Sequence, residues 1–158
     1  MIDPKMRDYI LSSYGFKPEP YILGEVVRIG YGHVVPKTWL VEIHEMKEDK
    51  ALKLFHKDLN KIQENPLISD LDGMLHDICA HFIYDHGLQP FKNLNLRVLC
   101  KKKKYDAIIE VLNKAIEYHQ DIPLIRAGRE LDIALIKNKG NYNGYKKRIP
   151  KKNVGFSG

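Results

Sequence analysis

The sequence has few cysteines, no long hydrophobic run and no acidic residue near its end. Its two cysteines, Cys79 and Cys100, cannot form a disulfide framework, although their spacing leaves a single bridge open. Their apolar neighbours favour buried free thiols in a reducing compartment. No stretch approaches the roughly 20 apolar residues of a membrane span, and the first residues lack the apolar run of a signal peptide. We therefore expect a cytoplasmic protein with no membrane partner.

Recognised catalytic motifs are also missing. The sequence contains no Gly-rich phosphate loop, no HExxH zinc pattern and no serine or cysteine in a nucleophile motif. This absence favours a non-enzymatic protein, and we expect no cofactor.

The 158 residues, 44% of them hydrophobic, are enough for one folded domain. Apolar residues at helical spacing predict helices at 4–14, 47–65, 69–86 and 105–119, and alternation predicts strands at 22–35, 37–46, 91–100 and 122–136. Trp39 lies in the second predicted strand, where it is expected to anchor the core. The expected fold is α+β: a two-layer sandwich of a mixed β-sheet with helices mainly on one face. This body spans residues 1–136, and a basic C-terminal arm spans 137–158.

The arm holds the whole net positive charge of the protein. The chain has 26 Lys and Arg against 20 Asp and Glu, and 7 of the 26 lie in the last 22 residues, which leaves 19 basic and 20 acidic residues in the body. Such charge blocks favour a polyanionic partner, and interleaved tyrosines can stack on unpaired bases. The predicted nucleic-acid-binding residues of the arm are Lys137, Lys139, Tyr142, Tyr145, Lys146, Lys147, Arg148, Lys151 and Lys152.

A second basic cluster precedes the predicted helix at 105–119. It consists of Lys101, Lys102, Lys103 and Lys104. Cations at a helix N-terminus oppose the helix dipole, so an external phosphate there is an attractive explanation, although solvated lysines explain the run as well. We predict that this cluster is a further nucleic-acid contact.

Two weaker patterns, each with two acidic residues, indicate candidate metal sites. Asp77, His81 and Asp85 are spaced by four and would share one exposed helix face, where they could hold a divalent metal or simply pair with one another. Glu130 and Asp132 would share one face of the last predicted strand and are followed by Lys137 or Lys139, which resembles part of a metal-dependent nuclease site, although any solvent-facing strand has the same pattern.

Three hypotheses follow from these patterns. The preferred one is a non-enzymatic protein that binds or organises nucleic acid, with RNA or single-stranded DNA favoured, as a subunit of a larger assembly. The alternatives are a metal-dependent nuclease or phosphodiesterase and a purely structural subunit of a multiprotein particle such as a virion. The basic clusters carry the first hypothesis, because phosphate contacts supply most non-specific affinity for nucleic acid.

Overall fold

A computed structural model describes residues 1–146. A three-stranded antiparallel sheet near the N-terminus is followed by a helical body, so the predicted α+β class is confirmed. The strands are β1 (Lys17–Leu23), β2 (Val26–Gly30) and β3 (His33–Val35). The helices are α1 (Pro4–Tyr14), α2 (Glu48–Gln63), α3 (Gly73–His86), α4 (Leu88–Asn93), α5 (Leu96–Lys101), α6 (Tyr105–Tyr118) and α7 (Pro123–Lys137). Short 3-10 turns occur at Lys37–Leu40 and Tyr142–Gly144.

Helix α1 begins and ends as its sequence predicts. The Asp3 side chain accepts a hydrogen bond from the Lys5 amide at 2.8 Å, and Pro4 occupies the first helical position. The helix buries Met6, Tyr9, Ile10 and Tyr14 against the body and stops at Gly15, whose φ is +67°.

The sheet presents two different faces. Val27, Ile29 and Val35 pack with Ala51 of α2 in a small apolar cluster. Because side chains alternate along a strand, Arg28 points to the opposite face, toward the C-terminal end of α3. Gly30 allows the close approach to α2, since a Cβ there would lie 2.9 Å from the Ala51 Cβ.

Helix α3 runs through the centre of the main core. It is buried on every side from Leu75 to Asp85, so its polar side chains need partners inside the protein. The start at Gly73 lies later than the sequence predicts, with Asp72 rather than Ser69 at the N-cap position.

Three predicted strands are wrong. Residues 37–46 form a 3-10 turn and an irregular loop, in which Val41 and Ile43 are fully exposed. Residues 91–100 form the end of α4 and helix α5, and residues 122–136 form most of α7. The described sheet is therefore antiparallel throughout and confined to residues 17–35, whereas the sequence predicted a mixed sheet that extends to residue 136.

Candidate functional site

A cleft of about 390 Å³ lies between the sheet and the helical body. Clefts between two structural layers are the usual place for a ligand site. The walls are mixed, with apolar side chains from β2, β3, α2 and α3 and a few polar groups among them. The polar side chains that line it are Arg28, His33, Asp58, Lys61, Tyr84 and His86.

His33 and Asp58 form a close pair in this cleft. The His33 Nδ1 and an Asp58 carboxylate oxygen are 2.6 Å apart, and both side chains are partly exposed. Lys61 lies three residues further along α2, so it shares the face of Asp58. The pair joins the sheet to α2 across the cleft.

Arg28 caps the C-terminal end of α3. It is 3% exposed and donates to the carbonyl oxygens of Gly32 at 2.8 Å and Asp85 at 2.9 Å. Its guanidinium also lies over the rings of Tyr14 and Tyr84, 5.0 and 6.0 Å from their centroids. A cation suits a helix C-terminus, because the last carbonyl groups carry partial negative charge.

His86 is a neutral member of the cleft wall. Burial, with Arg129 nearby, lowers the pKa of His86 to about 3, so the ring is uncharged at neutral pH. Its ring packs on Phe82, with 4.3 Å between centroids.

Behind the cleft, α3 and α7 share a buried ionic network. The Nη2 of Arg129 donates to Asp85 at 2.9 Å, while its Nε lies 3.1 Å from Asp132 without hydrogen-bond alignment. His81 lies between the two carboxylates, with Nδ1 2.8 Å from Asp132 and Nε2 3.3 Å from Asp85. Gly128 makes room for this ring, since a Cβ there would lie 3.1 Å from its Cε1 and Nε2 atoms.

The positive and negative charges of the network are equal in number when His81 is protonated. Burial acts to lower the pKa of His81, but the negative charges of Asp132 and Asp85 outweigh it and raise the pKa. Burial opposes ionisation of Asp85, yet the charges of His81 and Arg129 hold its pKa below the usual range. When His81 is protonated, two carboxylates face one guanidinium and one imidazolium, so each buried charge has an opposite charge beside it.

Tyrosine hydroxyls donate further hydrogen bonds to the buried carboxylates. Tyr14 donates to Asp85 at 2.7 Å and Tyr145 donates to Asp132 at 2.8 Å. Tyr142 donates to Asp77 at 2.6 Å. Residues 137–146, predicted as the first part of a separate arm, therefore contact the body through their aromatic side chains.

A second depression, of about 450 Å³, lies beside the N-terminus, where Met1 meets Gln63 and His76. The His76 ring there is fully engaged, because Nδ1 lies 2.9 Å from Asp77 and Nε2 lies 3.1 Å from the Gln63 carbonyl. The hydrogen bond with Asp77 raises the pKa of His76. These bonds fix the start of α3 and leave the ring with no nitrogen for a ligand.

The structure places the predicted metal ligands inside the core rather than on an exposed face. Asp77 accepts hydrogen bonds from Tyr142 and the Asp3 amide, whereas His81 and Asp85 belong to the network with α7. Within residues 1–146, no group of three or more His, Cys, Asp or Glu side chains is arranged to hold a metal ion.

Glu130 and Asp132 are not brought together. They lie on helix α7, not on a strand, and Glu130 is exposed whereas Asp132 is fully buried. Residues two apart on a helix do not face each other.

The basic residues lie on the surface. Lys101 to Lys104 form an exposed corner between α5 and α6, rather than between a strand and a helix. Lys101 pairs with Asp70 at 3.1 Å, and Lys103 lies 4.0 Å from Asp72. Lys137, Lys139 and Lys146 are exposed, while Lys147, Arg148, Lys151 and Lys152 lie outside the described residues.

Sequence reasoning missed several residues that organise the site. Arg28, Tyr14 and Arg129 look like ordinary strand or helix residues, and their burial depends on partners distant in sequence. Gly128 was the one available signal, since a glycine inside a helix is costly unless something packs against it.

Comparison with known proteins gives a likeness among solved structures. The chain matches no protein-family model and no curated protein sequence. Among solved structures it is similar to an endolysin from Escherichia coli O157:H7 phage FAHEc1, with a TM-score of 0.59 and 14% sequence identity, over 88% of this chain and 94% of that chain. The fold is thus that of a phage endolysin, and at this identity the likeness extends to the fold alone. Within residues 1–146, every helix is too short or too polar to cross a bilayer.

Proposed function

We propose that this chain is a binding protein on an endolysin-like fold, which holds a segment of bacterial cell-wall polymer in its cleft without cleaving it. The likeness to an endolysin makes a cell-wall polymer the first ligand to consider. The layout supports a long ligand, since the cleft runs between the sheet and the helices and has mixed apolar and polar walls.

The acidic residues at the cleft support the non-hydrolytic part of this proposal. Glycoside hydrolysis generally uses two carboxyl groups, about 5 to 9.5 Å apart, on either side of the bond that breaks. In the described residues the cleft lining holds one carboxylate, Asp58, which is paired with His33. Asp85 is nearby, but its side chain is buried and bound by Arg129 and Tyr14.

Two charge-reversal variants on α2 test the cleft. Lys61→Glu alters a cleft residue, and Lys57→Glu makes the same charge change on an exposed α2 residue outside the lining. We expect the wild-type chain to sediment with purified bacterial cell wall, Lys57→Glu to bind about as well, and Lys61→Glu to bind at least several-fold more weakly. Equal binding by both variants would remove the cleft from the proposal.

The same preparation tests for cleavage. We expect no release of soluble sugar reducing ends by the wild-type chain. Release that disappears in Asp58→Asn would replace the binding proposal with a hydrolase that works through one carboxylate.

A second candidate function is nucleic-acid binding through the basic end of the body, the surface that carries Lys102, Lys104, Lys137 and Lys139. Helices α6 and α7 pack together and are joined by only four residues, so they are antiparallel neighbours. The N-terminus of α6, with Lys102 and Lys104, then lies at the same end as the C-terminus of α7, with Lys137 and Lys139. None of these four lysines has a carboxylate partner within residues 1–146.

The lysines of this basic end could contact the phosphate groups of a nucleic acid. The ring of Tyr145 is buried, and the Tyr142 hydroxyl donates a hydrogen bond to Asp77. In the described structure these two tyrosines therefore pack against the folded body and are not presented for stacking on nucleic-acid bases. Affinity would come from charge and depend steeply on salt.

A double variant at this corner tests the second candidate. We expect Lys102→Glu with Lys104→Glu to weaken binding of a single-stranded oligonucleotide and to flatten its salt dependence. The matched control, Lys53→Glu with Lys57→Glu, changes the net charge equally on exposed positions of α2. Equal loss in both double variants would show a net-charge effect without a site, and removing residues 147–158 measures the contribution of the rest of the arm.

A further inference from the structure

The two cysteines meet inside the core. Cys79 lies in α3 and Cys100 lies near the end of α5, and their Sγ atoms are 3.5 Å apart. Both side chains are buried, at 1% and 2% exposure, and both are free thiols. A disulfide bond is about 2.05 Å long, so the sulfur atoms need to approach by only about 1.5 Å.

We propose that Cys79 and Cys100 are an intramolecular disulfide site, at which thiol–disulfide exchange with a small disulfide oxidant forms a bond that ties α5 covalently to α3. Neither the cleft nor the basic end depends on this bond, so the inference stands apart from both proposed functions. The distance in sequence, 21 residues, makes the bond a substantial constraint on the unfolded chain.

The bond would act on a small element. Helix α5 has six residues, of which Leu96 and Cys100 are buried, and it leads directly into the lysine corner at Lys101 to Lys104. In that corner Lys103 adopts a left-handed backbone, with φ of +52°, which is unfavourable for a lysine. A covalent tie at Cys100 would therefore hold the corner in place from the residue next to it.

The chemistry is thiol–disulfide exchange. The thiolate of one cysteine attacks a sulfur of oxidised glutathione, which forms a mixed disulfide and releases one glutathione thiolate. The second cysteine thiolate then attacks the protein sulfur of that mixed disulfide and releases the second glutathione. The protein loses two thiol protons and two electrons, and the oxidant becomes two molecules of reduced glutathione.

Exchange in the folded protein should be slow at neutral pH. The hydrogen bond with Cys100, together with burial, raises the pKa of the Cys79 thiol well above its usual range, so little thiolate is present. The oxidant also needs a local opening of α5 to reach either sulfur atom. Oxidation should therefore accelerate as the pH rises.

The test bypasses this kinetic barrier by refolding the full chain from denaturant in buffers with excess oxidised or excess reduced glutathione. Free thiols are then counted under denaturing conditions, and intact mass and non-reducing electrophoresis identify the product. We expect two thiols per chain in the reduced sample and none in the oxidised sample, with a monomer lighter by two hydrogens. Thermal unfolding of the oxidised monomer should shift upward by about 5–10 °C.

The single variants Cys79→Ala and Cys100→Ala complete the test. Each should retain one cysteine that carries glutathione or remains free, with no upward shift of the unfolding temperature. Disulfide-linked dimers of the wild-type chain, two remaining thiols after refolding with excess oxidant, or an oxidised monomer that is less stable than the reduced one would each overturn the proposal.

Discussion

Replacing Arg129 with methionine should be among the most destabilising single substitutions in this protein. The side chain is 0% exposed and lies between the carboxylates of Asp85 and Asp132, at 2.9 and 3.1 Å. Methionine fills a similar length but leaves two buried negative charges with His81 as their remaining cation. Removing one partner of a buried ionic group costs about 3–5 kcal/mol, because the charge left behind has lost both water and partner.

The measurement is the free energy of unfolding by chemical denaturation at several pH values. For a chain of this size the loss corresponds to a fall of roughly 6–20 °C in unfolding temperature. The matched control is Lys114→Met, which removes the same charge from an exposed pair with Glu110 at 3.5 Å and should cost less than about 0.5 kcal/mol.

The pH dependence supplies a second, independent check. In the wild-type protein the pKa of Asp85 is lowered, so its contribution to stability is present above about pH 4 and is lost as the pH falls through the folded value. In Arg129→Met, burial without the guanidinium is expected to raise the pKa of Asp85, so ionisation of this carboxylate destabilises the fold as the pH rises. The difference in stability between the two proteins should therefore widen from pH 4 to pH 7. A constant difference, or a total loss below about 1 kcal/mol, would refute the ionic reading of this network.

Three further substitutions probe the same region. Gly128→Ala should destabilise by about 1–3 kcal/mol, because its Cβ would press on His81, whereas Gly144→Ala meets only ordinary contact at 3.5 Å and should be nearly neutral in the same denaturation assay. Tyr145→Phe leaves an Asp132 oxygen without its hydroxyl donor and should cost about 1–3 kcal/mol; unchanged stability would show that water replaces the hydroxyl. Because the folded pKa of His81 is raised, its stabilising contribution is complete below about pH 6.5 and declines as the pH rises through the folded value, so wild-type stability should fall as the pH rises above about 6.5 and that of His81→Asn should be flatter.

The sequence identified α1 and α6 correctly, because the polar residues of these two helices lie outside. Helix α1 has a capping aspartate, a proline at its first position and a terminal glycine, and α6 buries Ile108, Leu112 and Ala115 on one stripe. In these segments the residues that are buried are the apolar residues that recur at helical spacing along the sequence. The pattern then identifies the element correctly.

Helix α7 shows why the same reasoning failed elsewhere. Leu131, Ile133 and Leu135 alternate with Glu130 and Asp132, and this alternation predicts a strand. The buried face of the helix instead includes Arg129 and Asp132, because α3 supplies opposite charges at the matching positions. Pattern analysis assumes that charged residues lie on the surface. It therefore cannot identify a buried helix face on which charged residues pair with a second helix, as Arg129 and Asp132 of α7 do with α3.

Asp85 connects the buried ionic network of α3 and α7, which the sequence pattern did not predict, to the cleft between the sheet and the helices. Its carboxylate binds Arg129 of α7 and Tyr14 of α1, while its backbone carbonyl accepts a hydrogen bond from Arg28 of the sheet. The end of α3 that forms one wall of the cleft is therefore held by three elements through one residue. The buried ions fix the position of α3 relative to the sheet, and the width of the cleft follows from that position. The ion pairs between α3 and α7 and the shape of the cleft are thus parts of one arrangement, in which the buried carboxylates Asp85 and Asp132 stabilise the structure.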